Sequence, residues 1–227
     1  MVFKRRMRLL VCGFLGSISV GAVLVISCLQ ITTVPVVATV CVEFPLSLEG
    51  TPLTLKGITG YEGPYVEDGT DEEVVDIAAI SVVNTGQKIV RRACIRLIGE
   101  QGDMCFLLTQ LPPGETAVVL EQSRQPWVRQ QFLHGKADCE ESVLQELQVQ
   151  VNVSPEGLLE ISNPTDAPIR NIILMHKTWS DIIGAYLGGI TYETKIDEMQ
   201  PGQLLLIRPA HFAPGISRIV AVTADGQ

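Results

Sequence analysis

Three histidines, His134, His176 and His211, are the side chains of this sequence best suited to moving protons or holding a metal near neutral pH. Nucleophilic catalysis would need one of them within hydrogen-bond reach of a serine or cysteine, with a carboxylate behind it. No Gly-x-Ser-x-Gly elbow occurs, and no histidine has another at the helical spacing of a zinc site. His211 follows Pro209 at what reads as a strand end, and His176 closes an apolar strand, so both read first as structural residues. A hydrolase using His211 or His176 with a neighbouring acid is the alternative. The acidic stretch Glu67-Asp68-Gly69-Thr70-Asp71-Glu72-Glu73 offers oxygen ligands for calcium but lacks the Asp-x-Asp-x-Asp-Gly spacing of a calcium loop. It reads as a solvated loop, as do Asp138, Glu140 and Glu141. No metal and no cofactor are expected.

Recognition by stacking is the other chemistry to weigh, and aromatic residues make up only 5% of the chain. The candidates are Trp127 and Trp179, with Tyr186 and Tyr192 close behind the second tryptophan. Such rings bind sugar faces when exposed and fill cores when not. Gly184, Gly188 and Gly189 between them permit a bulge or a tight hairpin bend. Loops on a rigid scaffold commonly carry recognition, so the segment Trp179–Tyr192 is the first place to look for a binding surface, with Trp179, Tyr186, Tyr192 and His211 as its candidate residues.

The elements that would position these residues read as short strands. Branched and apolar runs are bounded by Asn, Gly, Pro and Asp, and helical periodicity is hard to find. Leu147, Val149, Val151 and Val153 alternate with polar residues, placing one face in a core and one in water. A repeat organises the pattern. Ile80-Ser81-Val82-Val83-Asn84-Thr85 leads to Cys94–Ile98 and then to Leu111-Pro112-Pro113-Gly114, followed by the apolar Thr116–Leu120. Leu159-Glu160-Ile161-Ser162-Asn163-Pro164 leads likewise to Ile172–Met175 and to Met199-Gln200-Pro201-Gly202, followed by Leu204–Ile207. The Asn-to-Gly separations are 30 and 39 residues, so the second copy has the longer middle. Ser217–Thr223 has the content of a closing strand, and the polar stretch Gln122–Glu146, broken by Pro126 and Gly135, reads as a connector with a short helix. The division expected is residues 43–135 as one β-sandwich and 136–227 as a second.

The Asn-centred turns, the paired strands and the Pro-Gly turn before an apolar strand resemble the immunoglobulin- or fibronectin-III-like sandwiches that bacterial surface proteins string beyond a membrane anchor. The stretch from Gly188-Gly189-Ile190-Thr191-Tyr192 through Arg208-Pro209-Ala210-His211-Phe212 to Ser217-Arg218-Ile219-Val220 also resembles uncharacterised membrane-anchored proteins of Gram-positive bacteria. The resemblance implies tandem Ig-like sandwiches and no particular activity.

The anchor itself reads from the front of the chain. Lys4, Arg5, Arg6 and Arg8 precede an uncharged, mostly apolar run from Leu9 to Val42. Leu9–Leu29 alone is as long as a bilayer-crossing helix requires. Residues 1–42 therefore read as a cytoplasmic basic stub and a transmembrane signal anchor, with the remainder extracytoplasmic. A peptide cleaved after Val36-Val37-Ala38, or lipidation at Cys28, are the alternatives. Beyond Val42 the chain holds 13 basic against 25 acidic residues, a balance that repels nucleic acid and disfavours anionic lipid surfaces. Of the cysteines beyond the anchor, Cys94 and Cys105 flank a turn-like Gly-Glu-Gln-Gly-Asp and are the pair best placed for a disulfide across a hairpin. The expected function is a single-pass binding or structural module of the cell envelope, acting on an envelope protein partner and not as an enzyme. Pairing through an open strand edge is one mechanism for this, and binding of cell-wall carbohydrate is a further alternative.

Overall fold

The computed structural model describes residues 42–143 and 147–224, so the expected anchor lies, Val42 apart, outside the described residues. What is described is all-β, as expected: thirteen strands and, among the described residues, no helix. In chain order these are β1 (Leu46–Ser47), β2 (Leu53–Tyr65), β3 (Glu72–Asn84), β4 (Ile89–Gly99), β5 (Gly102–Leu111), β6 (Thr116–Leu120) and β7 (Phe132–Ser142), then β8 (Gln150–Val153), β9 (Leu159–Ser162), β10 (Ile169–Ser180), β11 (Ala185–Met199), β12 (Leu204–Ile207) and β13 (Ser217–Ala224).

One seven-stranded sheet, in the order β1-β2-β3-β6-β11-β10-β13, runs through both halves of the described residues. A three-stranded sheet β5-β4-β7 covers its N-terminal half, and β12-β9-β8 covers its C-terminal half. Each pair of layers closes on its own apolar core. Leu55, Ile80, Val82 and Val119 of the long sheet pack with Ile95, Leu97, Phe106 and Leu108 of the first cover. Ile172, Leu174, Met199 and Val222 pack with Leu159 and Ile161 of the second. The halves therefore share a sheet rather than a linker. Their seam is a short parallel pairing, Ala117 with Tyr186 and Val118 with Leu187, between two otherwise antiparallel sets of strands.

The repeat seen in the sequence is a repeated clasp. In the first half the fully buried Asn84 donates through Nδ2 to the carbonyls of Lys88 and Leu111, while its Oδ1 accepts from Gly86 N. In the second half the equally buried Asn163 donates to Ala167 and Met199, and its Oδ1 accepts from Thr165 N. The main chain repeats too: Gly114 N donates to Asn84 O and Gly202 N to Asn163 O. An asparagine suits both sites because one side chain supplies donors to a turn and to a returning strand together with an acceptor for its own turn. Replacing Asn84 or Asn163 with alanine strands buried carbonyls, so each variant is expected to lose ~2–4 kcal/mol in urea unfolding. A loss below about 1 kcal/mol in either would mean the clasp is dispensable there.

Two expectations about the chain's middle are corrected. Gln122–Glu146 is not a connector with a helix, because β7 occupies Phe132–Ser142, crosses the expected boundary at 135/136 and pairs with β4 of the first half. Gly135 there lets the strand lie against Leu46, Leu97 and Leu48, whose side chains a Cβ would strike. Cys94 and Cys105 do flank a hairpin, but both are free thiols. Cys94 stands opposite Leu107 and Cys105 opposite Arg96, a two-residue offset that separates diagonal neighbours by roughly 7–8 Å, beyond disulfide reach.

Candidate functional site

Where the halves meet, β11 bulges. His176 faces Tyr192 and Thr178 faces Leu187, so the four residues Gly188–Thr191 stand opposite Lys177 alone. Gly188 takes φ +85°, a left-handed conformation that glycine adopts without steric cost. The bulge carries Gly189 onto β5, where the Thr109 hydroxyl donates to Gly189 O at 3.0 Å. Lys177, with no solvent exposure, fills the space under the bulge. Its Nζ donates to Gly189 O (2.7 Å), Ile190 O (2.9 Å) and Thr109 O (2.9 Å), three acceptors for the three N–H bonds of an ammonium.

From the other side comes Glu67, in the segment between β2 and β3. Its carboxylate accepts from Gly189 N at 2.8 and 2.9 Å, from Ile190 N at 3.2 Å and from Leu120 N at 2.8 Å. The Gly189-Ile190 backbone is thus held between an anion on its N–H groups and a cation on its carbonyls. Burial pushes the Glu67 carboxyl up, opposed by those N–H donors and by Lys177. Burial pushes the Lys177 ammonium down, opposed by Glu67. Each charge is thus held in place by the other and by backbone dipoles. Between them they tie the β2–β3 segment, β5 and β6 of the first half to β10 and β11 of the second.

Beside this joint opens a cleft of about 750 Å³. Three elements wall it: the ends of β2 and β3 with their connection, the β10–β11 hairpin, and the connection between β12 and β13. Its apolar lining includes Val66, Trp179, Ile182, Leu187, Phe212 and Ile216. Its charged lining is acidic, from Asp71, Glu73 and Asp181. Ile182, at the hairpin tip, is 97% exposed, and Ile183 and Ile216 are at least half exposed.

The four residues singled out in the sequence separate into two pairs. Trp179 and Tyr186 are cross-strand partners at the base of the hairpin, edge to face with centroids 5.1 Å apart, and both are buried against the core of the first half. The Trp179 indole donates to Asp181 Oδ1 at 2.7 Å, and one of its faces is covered by the Arg218 guanidinium 3.3 Å from the ring centroid. It is therefore a wall of the cleft and not an open sugar platform. Tyr192 and His211 stack with centroids 4.5 Å apart, and Gly69 packs over both. His211 lines the cleft, and His134 lies on β7 in the other half. Burial, with Asp71 and Glu67 nearby, pushes the Tyr192 phenol up to about 12, so it stays protonated and donates to Val66 O.

His176 continues this column, fully enclosed between Tyr192 and Phe212. Neither ring nitrogen makes a hydrogen bond; the nearby Ala210 backbone favours the protonated ring without meeting bonding geometry. Burial outweighs that influence and pushes the imidazole below its ordinary value. The unfolded chain then binds a proton near pH ~6.5 that the folded chain refuses until lower pH. The corresponding stability is complete above ~6.5 and is lost as pH falls through the folded value. In urea unfolding between pH 7 and 5, the stability of His176→Phe relative to the parent chain is expected to rise as the pH falls; a constant difference would contradict this.

The acidic stretch also divides. Asp68 and Glu72 do form a solvated ion-pair cluster on Arg124, both at 2.6 Å, whereas Glu67 turns inward to the joint. Among the described residues no group of three or more His, Cys, Asp or Glu is placed to hold a metal ion. Sequence reasoning missed Glu67 and Lys177. The one available signal was a lysine inside the apolar run Ile172–Trp179. No protein-family model matches the chain, and neither does any curated protein or solved structure.

Proposed function

We propose that this protein is a membrane-anchored, extracytoplasmic binding module of a cell envelope. Its two halves are tandem Ig-like sandwiches, and it engages a protein partner through the cleft beside their joint. The observation that carries this reading is the placing of Ile182 and Ile216 in solvent at an apolar cleft, with Ile183 exposed next to Ile182, since exposed apolar side chains clustered at a concavity mark interaction sites. The buried Glu67–Lys177 arrangement supports it further, because it fixes two of the cleft's walls, the β2–β3 connection and the β10–β11 strands, relative to one another before any partner arrives. The basic stub and the apolar run at the front of the chain support the anchor.

The test is capture of the full chain from its own cross-linked membranes, in parallel with Ile182→Asp, with mass spectrometry of the co-purified proteins and of the bait's N-terminus. One envelope protein retained by the parent chain, lost by the variant and accompanied by an intact N-terminus is the expected result. Identical recovery from both would remove the cleft from the interaction, and a new terminus near Cys28 or Thr39 would remove the anchor.

A further inference from the structure

Taking the binding-module reading as its basis, we propose that the cleft receives a peptide segment of its partner in which one arginine or lysine is flanked by apolar residues. The lining chemistry selects for that combination. The cleft is lined by three carboxylates, Asp71, Glu73 and Asp181, and by no lysine or arginine. Among the described residues neither Asp71 nor Glu73 forms an ion pair, although Arg124 satisfies their neighbours Asp68 and Glu72. Two acids are thus left facing solvent at the mouth of an apolar concavity, where a cation would gain most from them. The same concavity offers Leu187, Phe212, Ile216 and Ile182 to the residues on either side of that cation.

The molecule already holds one guanidinium in this manner. Arg218 holds its guanidinium carbon 3.3 Å from the Trp179 ring centroid while its Nη2 is 3.5 Å from Asp181, so an indole face and a carboxylate here together accommodate an arginine of the chain itself. Two positions of the wall take left-handed backbone conformations, Asp71 at φ +52° and His211 at φ +60°. The acidic balance of the chain beyond Val42 would further steer a basic segment toward it. Anionic lipid is disfavoured by the same charges.

The probes are three short synthetic peptides of one leucine-containing sequence, differing only in a central arginine, glutamine or glutamate. They are titrated against the full chain in lipid nanodiscs, with isoleucine methyl groups labelled for NMR. Ile182 and Ile216 report on the cleft, and Ile161 and Ile172 report on the fold. The arginine peptide is expected to shift only the first pair and to bind about tenfold or more tighter than the glutamine peptide, with the glutamate peptide weakest. Raising the salt should narrow the gap. Asp71→Asn with Glu73→Gln should abolish it while leaving Ile161 and Ile172 unmoved; asparagine tolerates the φ of residue 71. Equal binding of all three peptides, a preference surviving both substitutions, or no shift with the arginine peptide would each overturn the proposal. Loss of peptide preference with retention of the Ile182-dependent membrane partner would reject the basic segment alone, whereas an Ile182-independent partner would reject the binding reading beneath it.

Discussion

Lys177→Met is expected to lower the stability of the full chain by ~3–5 kcal/mol, the range found when one member of a buried charge pair is removed. Methionine matches much of the volume, so the loss would not come chiefly from a cavity. It would come from three carbonyls, on Thr109, Gly189 and Ile190, that lose their common donor in a place water does not reach. It would come also from Glu67, whose carboxylate is left with backbone N–H groups but no cation. The paired variant Lys177→Met with Glu67→Gln tests the mechanism. If the two groups act on one another, the double variant loses less than the sum of the singles in urea unfolding. Additive losses would mean that each group merely serves its own backbone partners.

Gly189→Ala is expected to be at least as damaging, a loss of more than about 3 kcal/mol or no folded protein. Gly189 does not need glycine for its φ; it needs glycine for proximity. A Cβ there would overlap the Leu107 carbonyl oxygen and press on Val119 at 2.8 Å. The first obstacle is backbone of β5, which no rotamer change can move aside. Lifting the bulge to make room would pull Gly189 and Ile190 away from both Lys177 and Glu67. Gly184→Ala is the control, since that glycine has φ +60° but nothing within 4 Å of the added carbon. Its expected loss is only ~1–2 kcal/mol from backbone strain. Similar thermal unfolding of the two alanine variants would show that the β5–β11 approach leaves room for a Cβ at residue 189.

The parts of this molecule that were legible in its sequence are those whose reasons are local. Asn84 and Asn163 each answer to a turn and a returning strand close in the chain, so their surroundings repeat in order and chemistry. Apolar alternation gave the strands of the cores for the same reason. β7 was hidden because it lies at the edge of its sheet and buries little; His134, Lys136, Asp138 and Glu141 carry the polarity and exposure of a loop while the backbone pairs with β4. The Cys94–Cys105 hairpin was visible, but not its register, which a turn sequence alone does not set. The joint was invisible for the opposite reason. Glu67 and Lys177 lie 110 positions apart; Glu67 reads alone as an ordinary solvated charge, and Lys177, though set in an apolar run, names no partner. Of the cleft, Trp179 and His211 could be named in advance, while Tyr186 and Tyr192 prove to brace its walls.

The shared sheet also sets an order in time. β6 has its partner β3 behind it in the chain, but its other edge is covered by β11, whose pairing residues are made roughly 70 residues later, several seconds at ribosomal rates. Through that interval the nearly finished first half carries an open strand of alternating Thr116–Leu120 and a Glu67 without its lysine. A chain cut short before Lys177 would keep both permanently. The seam that joins the two finished halves is thus also the point at which an unfinished chain is most apt to pair with a neighbour.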